Sequence, residues 1–163
     1  MITYDELIKL LSYDPIEGGL VWIVLPRCRP RTNLAGSILS DGRRRIGING
    51  TYYLAHRLIW LYFHKKWPDG ALDHVNGNPA DNRIENLREA TRSQNQENRK
   101  INANNTSGFK WVSWCKQHKK WRSRIRRNGK RIHQNFHDTA EEAYIAACEV
   151  AKKHHQEFYN PGR

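Results

Sequence analysis

Between Leu72 and Arg99 the sequence reads LDHVNGNPADNRIENLREATRSQNQENR, a run dense in groups that can hydrolyse a phosphodiester. That reaction needs a base to deprotonate water, positive charge for the phosphate and the departing 3′ oxygen, and a partner that holds the base in orientation. Asp73 and His74 stand side by side. On an extended strand neighbouring side chains point to opposite faces, so the two serve one centre only where the strand bends or ends. Val75-Asn76-Gly77-Asn78-Pro79 follows at once and predicts a turn there. The later asparagines offer an amide oxygen to a metal or a hydrogen bond to the imidazole.

On these residues the segment resembles the HNH nuclease motif, in the form found in phage and intron-associated homing endonucleases. The resemblance implies a ββα-metal unit of two short strands, a long loop and one helix. It implies that His74 is the general base for water and that Asp73 is a metal-ligand carboxylate. Asn82 falls at the motif's middle asparagine, which ties the loop together, and Asn86 at the residue that orients the imidazole. Leu87–Ala90 becomes the second strand, Thr91 or Ser93 the cap of the helix, and Asn95 the second metal ligand. Histidine often stands at that last position. Asparagine there, with no cysteine pair nearby, implies a hard ion bound by oxygen, one Mg²⁺ or Mn²⁺ per site, over zinc. His56-Arg57, ahead of an apolar helix, matches the same subgroup and offers Arg57 as a phosphate contact.

A second constellation lies further on. Within residues 110–131 there are ten Lys or Arg and no Asp or Glu. In Trp121–Arg126 the alternation is strict: Trp121, Ser123 and Ile125 share one strand face, Arg122, Arg124 and Arg126 the other. Guanidiniums on a sheet face bind phosphates or fork onto guanine edges, and a sheet of this width enters a major groove. From Asn104 to Phe158 the sequence resembles an AP2 DNA-binding domain through Ser107-Gly108-Phe109, Val112-Ser113-Trp114, Lys120-Trp121-Arg122, Ile125-Arg126, Phe136 and Thr139-Ala140-Glu141-Glu142-Ala143. Trp111 stands where that family usually has glycine. The DNA-contacting set expected here is Arg122, Arg124, Arg126, Trp111 and Lys120, with Arg57 from the head.

The elements that must position these groups are legible in part. Apolar residues at Tyr4, Leu7, Ile8 and Leu11 predict a helix, with Thr3 and Glu6 as its capping box. Leu20–Leu25 reads as a strand. Asp41-Gly42 and Asn49-Gly50 are hairpin signals around Arg43–Ile48 and Thr51–Leu54. Ala55–His64 is the most apolar stretch and predicts a core helix. Phe109–Trp114, Lys120–Arg127 and Arg131–Phe136 predict three strands, the last two joined at Asn128-Gly129. Thr139 with Glu142 opens an alanine-rich helix reaching about Phe158.

The 163 residues carry 28 Lys or Arg against 16 Asp or Glu, a net charge of +12 at pH 7. With a mean hydropathy of −0.86 this favours small modules and a polyanionic partner. Residues 1–100 hold 15 basic and 11 acidic side chains, net +4; residues 101–163 hold 13 and 5, net +8. Cys28, Cys115 and Cys148 stand apart, as reduced thiols of a cytosol do. No apolar run is long enough to span a membrane, and the N-terminus lacks the basic start of a signal peptide. The fold class expected is α+β, with an HNH nuclease core and a small N-terminal support over 1–100. A three-stranded antiparallel sheet packed on one helix, AP2-like, follows over 101–163. Arg27, Arg29, Arg31 and Arg43–Arg45 extend the DNA track. The function implied is metal-dependent cleavage of double-stranded DNA, as a site-preferring homing endonuclease or nickase. It is expected to act as a monomer in a bacterial cytoplasm, with a phage among the expected sources, and with no membrane and no small-molecule cofactor. The competing reading is a non-catalytic AP2-type regulator with a degenerate head, and a third is a restriction or non-specific nuclease. Retention of each expected ligand type argues for the enzyme.

Overall fold

The computed structural model describes residues 1–23 and 34–162. The end of the expected strand at Val24-Leu25, Cys28 and the arginines Arg27, Arg29 and Arg31 lie outside the described residues. The chain divides into two compact units, Met1–Ala90 and Thr91–Arg163. Among the described residues no helix is long and apolar enough to cross a membrane.

The first unit opens with α1 (Tyr4–Leu10). The Thr3 hydroxyl accepts from the Glu6 N–H and the Glu6 carboxylate accepts from the Thr3 N–H, closing the expected capping box. Leu11 is already extended and pairs with Trp22, so β1 (Leu11–Asp14) forms a hairpin with β2 (Gly19–Trp22). Periodicity concealed that switch, because Leu11 is buried in either conformation. The strands β3 (Ser37–Ile38), β4 (Arg44–Ile48) and β5 (Thr51–Leu54) form an antiparallel sheet in that order. Asn49 and Gly50 both take positive φ, 48° and 77°, as a two-residue hairpin turn requires. The helix α2 (Ala55–His64) follows directly and ends on Lys65 in the left-handed region.

Leu58, Ile59 and Leu61 of α2 pack with Leu7, Leu11, Leu20 and Ile46 at the centre of this unit. Burying each such side chain contributes about 1.5–3 kcal/mol. Leu72 and Leu87 join the same cluster. They belong to the hairpin of β6 (Ala71–His74) and β7 (Leu87–Ala90). The N-terminal elements therefore share one core with the β6–β7 hairpin. The β6–β7 register sets Asp73 opposite Arg88 and His74 opposite Leu87.

The second unit begins with α3 (Arg92–Asn98), capped by Thr91 with Gln94 as reciprocal partner, so Thr91 and not Ser93 is its N-cap. Next come β8 (Val112–Cys115), β9 (Lys120–Arg127) and β10 (Lys130–His137), an antiparallel sheet in the order β10-β9-β8. The Asn128-Gly129 turn has φ of 50° and 76°. The helix α4 (Ala140–His155), capped by Thr139 with Glu142, lays Ala143, Ala147 and Ala151 against Val112 and Ile125. It ends before Phe158, because Gln156 turns to φ 48° and a 3₁₀ turn follows. This is the expected sheet on one helix.

Two details depart from expectation. The division falls at Ala90, ahead of the expected boundary at 100/101, because α3 is bonded to the sequence that follows it. The Lys110 ammonium donates to the carbonyls of Glu97 and Asn160, each at 2.7 Å, and Asn160 Nδ2 donates to the Asn98 carbonyl at 2.7 Å. The first strand of the sheet starts at Val112, not Phe109, because Trp111 sits at φ 65°. That left-handed conformation costs a non-glycine residue roughly 1–3 kcal/mol. Packing on Ile125, Ala147 and Tyr159 offsets it.

Candidate active site

The loop between β6 and β7 is built from its short polar side chains. Asn76 Oδ1 accepts from the Asn78 N–H at 2.8 Å, and Asn78 Oδ1 from the Ala80 N–H at 3.1 Å. Each closes an Asx turn. Asp81 receives the Arg83 guanidinium on both oxygens and Asn76 Nδ2 at 2.8 Å. The Arg83 hydrogen bond is the main reason its carboxyl falls to about 2. Asn86 is buried, and its Nδ2 donates to Asn76 Oδ1 at 3.1 Å and to the Asp81 carbonyl at 2.7 Å. Its Oδ1 accepts from the Asn76 N–H at 3.0 Å.

His74 ends β6, where the strand gives way to this loop. Its Nε2 lies 3.1 Å from Asn82 Oδ1. Asn82, 5% exposed, donates Nδ2 to the Ala80 carbonyl at 3.3 Å, so its oxygen faces the imidazole. In the tautomer that donates to this oxygen, Nε2 carries the ring proton. The contacts of the two asparagines differ from the division of labour that the resemblance implied. Asn82 holds the imidazole and Asn86 ties the loop, the reverse of the assignment carried by the resemblance. The physical reason is loop geometry: Asn86 spends both ends of its amide on Asn76 and Asp81, and the shorter Asx-turned path brings Asn82 to the ring.

A second ring meets His74. His56, on the first turn of α2, is 6% exposed, and its centroid lies 5.3 Å from that of His74 at an interplanar angle of 75°. Burial, with the charges of His74, Arg43 and Arg57, pushes its pKa down to about 3, so it stays neutral. The Asp73 carboxylate, 5% exposed, takes Arg88 Nε at 3.0 Å and an Arg88 terminal nitrogen at 2.8 Å on Oδ2. The register stays regular through Asp73 and His74, so their side chains leave β6 on opposite faces.

Asn95 is half-buried on α3, in the second unit. Among the described residues no three His, Cys, Asp or Glu side chains gather as a metal cluster. Asp73 lies in the first unit and Asn95 in the second, and each by itself offers an oxygen of the kind that Mg²⁺ or Mn²⁺ takes.

On the sheet of the second unit, Arg124 and Arg126 are exposed while Ser123 and Ile125 are buried, as the alternation requires. Arg122 is half-buried and donates to the Ser113 hydroxyl at 3.1 Å. Arg131, paired with Arg126 across the ladder, adds a cation to this face. Burial lowers the Arg124 pKa first, and the charges of Arg122, Arg126 and Arg131 add to the shift. Lys120 is exposed and pairs with Asp138 at 3.0 Å. Trp111 does not join the arginines. Its half-buried ring stacks on Tyr159 at 6.2 Å and meets His155 at 5.8 Å, on the α4 side of the sheet. In the first unit, Arg57 donates to the Gly70 carbonyl at 3.2 Å and lies over the Trp67 ring. Arg44 donates to the carbonyls of Ala35 and Gly36, and Arg45 covers Tyr52. These three act as structural ties here.

Arg88, Arg131, Asn76 and Asp81 join the expected residues through contacts that only the fold creates. Arg88 and Arg131 follow from strand register once the two hairpins are drawn. The Asp81-x-Arg83 spacing was a readable signal for the loop brace.

A family model described as HNH endonuclease matches residues 53–97, from β5 into α3. The chain is 34% identical over 87 residues to Protein 3.8 of Escherichia phage T7, across 53% of this chain and 72% of that protein. No solved structure matches it.

Proposed function

Since the chain belongs to the HNH endonuclease family, we propose that it cleaves double-stranded DNA by metal-dependent hydrolysis and holds the duplex with its C-terminal sheet. The observation that carries the reading is the geometry around His74: an imidazole held at Nε2 by Asn82, with the buried His56 ring against it. Nδ1 takes the proton from the attacking water, and Asn82 Oδ1 stabilises the imidazolium that results. His56 stays neutral against the ring and adds no charge opposing that step. Asp73 and Asn95 would offer oxygens to a hard divalent ion, Mg²⁺ or Mn²⁺, which when bound would supply charge for the phosphate and the departing 3′ oxygen.

Arg124, Arg126 and Arg131 present guanidiniums to phosphates or guanine edges, with Arg122 and Lys120 at the margin. The sheet-on-helix build and the left-handed position at Trp111, which suits the glycine usual there, support an AP2-type reader. A sheet reader joined to a nuclease favours site-preferring cleavage of the homing kind, and one candidate centre per chain favours nicking by a monomer. A phage-encoded enzyme working in the bacterial cytoplasm fits the phage relative. The test is conversion of supercoiled plasmid to nicked or linear form with Mg²⁺, with Mn²⁺ and with excess chelator. Binding without conversion under every ion would favour instead the DNA-binding regulator with an inactive head.

A further inference from the structure

The helix α3 has seven residues, too few to persist in water without tertiary support. Its support comes from the sequence after it. A helix C-terminus leaves its last carbonyls without intrahelical donors. Those of Glu97 and Asn98 receive the Lys110 ammonium and the Asn160 amide, each at 2.7 Å. Lys110 is 8% exposed and also donates to the Asn160 carbonyl, so one buried cation clamps the helix end to the C-terminal segment. A cation at this end also complements the helix dipole. On its flank, Ser93 Oγ accepts from the Asn128 N–H at 3.0 Å and donates to Glu97 Oε1 at 3.2 Å. Arg127 Nε approaches the same Glu97 oxygen at 3.8 Å. Arg127 closes β9, the strand that carries Arg124 and Arg126, and Asn128 opens the tight turn beyond it.

We infer that the sheet and the C-terminal segment of the second unit form a positioning device for that unit's own α3, through Lys110 and Asn160 on its last carbonyls and the Arg127-Asn128 turn on Ser93 and Glu97. DNA held on the arginine face thereby steadies the helix that carries Asn95. The inference rests on the nuclease reading for its catalytic consequence, but its structural half does not. Duplex binding to β9 restrains the strand and its turn, and the turn holds Ser93. The tail then contributes to turnover as well as to affinity.

The test uses the full chain and four proteins: wild type, Lys110→Met, Ser93→Ala and Ser93→Thr. The first readout is amide exchange across residues 95–98, with and without a linear duplex of arbitrary sequence, in chelator so that no strand is cut. The wild type should exchange more slowly when the duplex is bound. Lys110→Met and Ser93→Ala should each speed exchange by about tenfold, the equivalent of one lost hydrogen bond. Ser93→Thr keeps the hydroxyl and should restore the wild-type rate and its response to the duplex. The second readout is the Mn²⁺ concentration for half-maximal cleavage at saturating DNA. It should rise several-fold in Ser93→Ala, and duplex affinity should stay within about twofold. Exchange indifferent to both substitutions and to the duplex would overturn the inference, as would a Ser93→Ala defect confined to affinity. A wild type that binds the duplex but cleaves it with neither Mg²⁺ nor Mn²⁺ would remove the nuclease reading, while the exchange data would still decide whether the tail holds α3.

Discussion

The exchange of roles between Asn82 and Asn86 gives opposite phenotypes to two chemically identical substitutions. Asn82→Ala removes the acceptor of His74 Nε2–H, the 3.1 Å contact that fixes the ring and its tautomer. Leaving a half-buried donor unpaired costs about 1–3 kcal/mol. Spent on the orientation of the base, that is roughly one to two powers of ten in rate. Asn82 otherwise makes one weak bond, to the Ala80 carbonyl at 3.3 Å, so the fold should lose little. Asn86→Ala deletes three bonds, to the Asn76 N–H, Asn76 Oδ1 and the Asp81 carbonyl. At a net ~1 kcal/mol each the loss approaches 3 kcal/mol. For a unit of this size that lowers the melting midpoint by about 12–24 °C. The assay pairs a circular-dichroism melt with the cleavage rate of each protein well below its midpoint. Asn82→Ala should melt near the wild type and cut slowly; Asn86→Ala should melt early. A slow, thermally normal Asn86→Ala beside a wild-type-like Asn82→Ala would refute the assignment and restore the motif's original order.

Other consequences can be checked with equal economy. Arg88→Ala leaves the Asp73 carboxylate buried without its guanidinium, at a cost of about 3–5 kcal/mol, and should lower the melting midpoint by at least ~12 °C; an unchanged midpoint would contradict the buried pair. Replacing both Arg124 and Arg126 by alanine should weaken duplex binding and reduce the log–log salt slope by about two. Equal slopes in fluorescence-anisotropy titrations would mean that this face is only solvated. His56 and His155 have ring pKa values that burial pushes down from 6.5 to about 3 and about 4. The unfolded chain therefore binds those protons more readily. Stability from this source is complete above about pH 6.5 and is lost as pH falls toward 4 and below. Calorimetric melts should show midpoints declining over that window, and less steeply in His155→Leu; a midpoint that rises on acidification would show that these rings are not held neutral.

The parts of the molecule legible in the sequence are those where local chemistry and tertiary context agree. Thr3 with Glu6 and Thr139 with Glu142 announce helix starts, Asn49-Gly50 and Asn128-Gly129 announce turns, and the structure has each of them. Leu87–Ala90 and Ala55–His64 match their expected bounds because apolar content and flanking turn residues coincide. Leu11 escaped because a buried leucine satisfies helix and strand alike. At the site, residue types were readable and pairings were not. Which of two loop asparagines reaches an imidazole depends on successive Asx turns, and spacing cannot report that. The boundary at Ala90 was hidden for a similar reason: a polar run reads as a linker, whereas Lys110 and Asn160 bind the helix before it to the sheet after it. Trp111 carried a signal from the start, since a bulky residue in a glycine position needs packing to hold it, and Tyr159 supplies some of that packing.

The central claim, that His74 is the base of a metal-dependent DNA-cutting centre, is tested most directly by measuring plasmid cleavage and duplex binding on the same preparations of wild type and His74→Ala, with Mg²⁺, with Mn²⁺ and in excess chelator. The account predicts wild-type cleavage with either ion and none in chelator. It predicts a fall of roughly 10²–10⁴-fold in His74→Ala at unchanged duplex affinity. Wild-type rates in His74→Ala, or full cleavage in chelator, would contradict it.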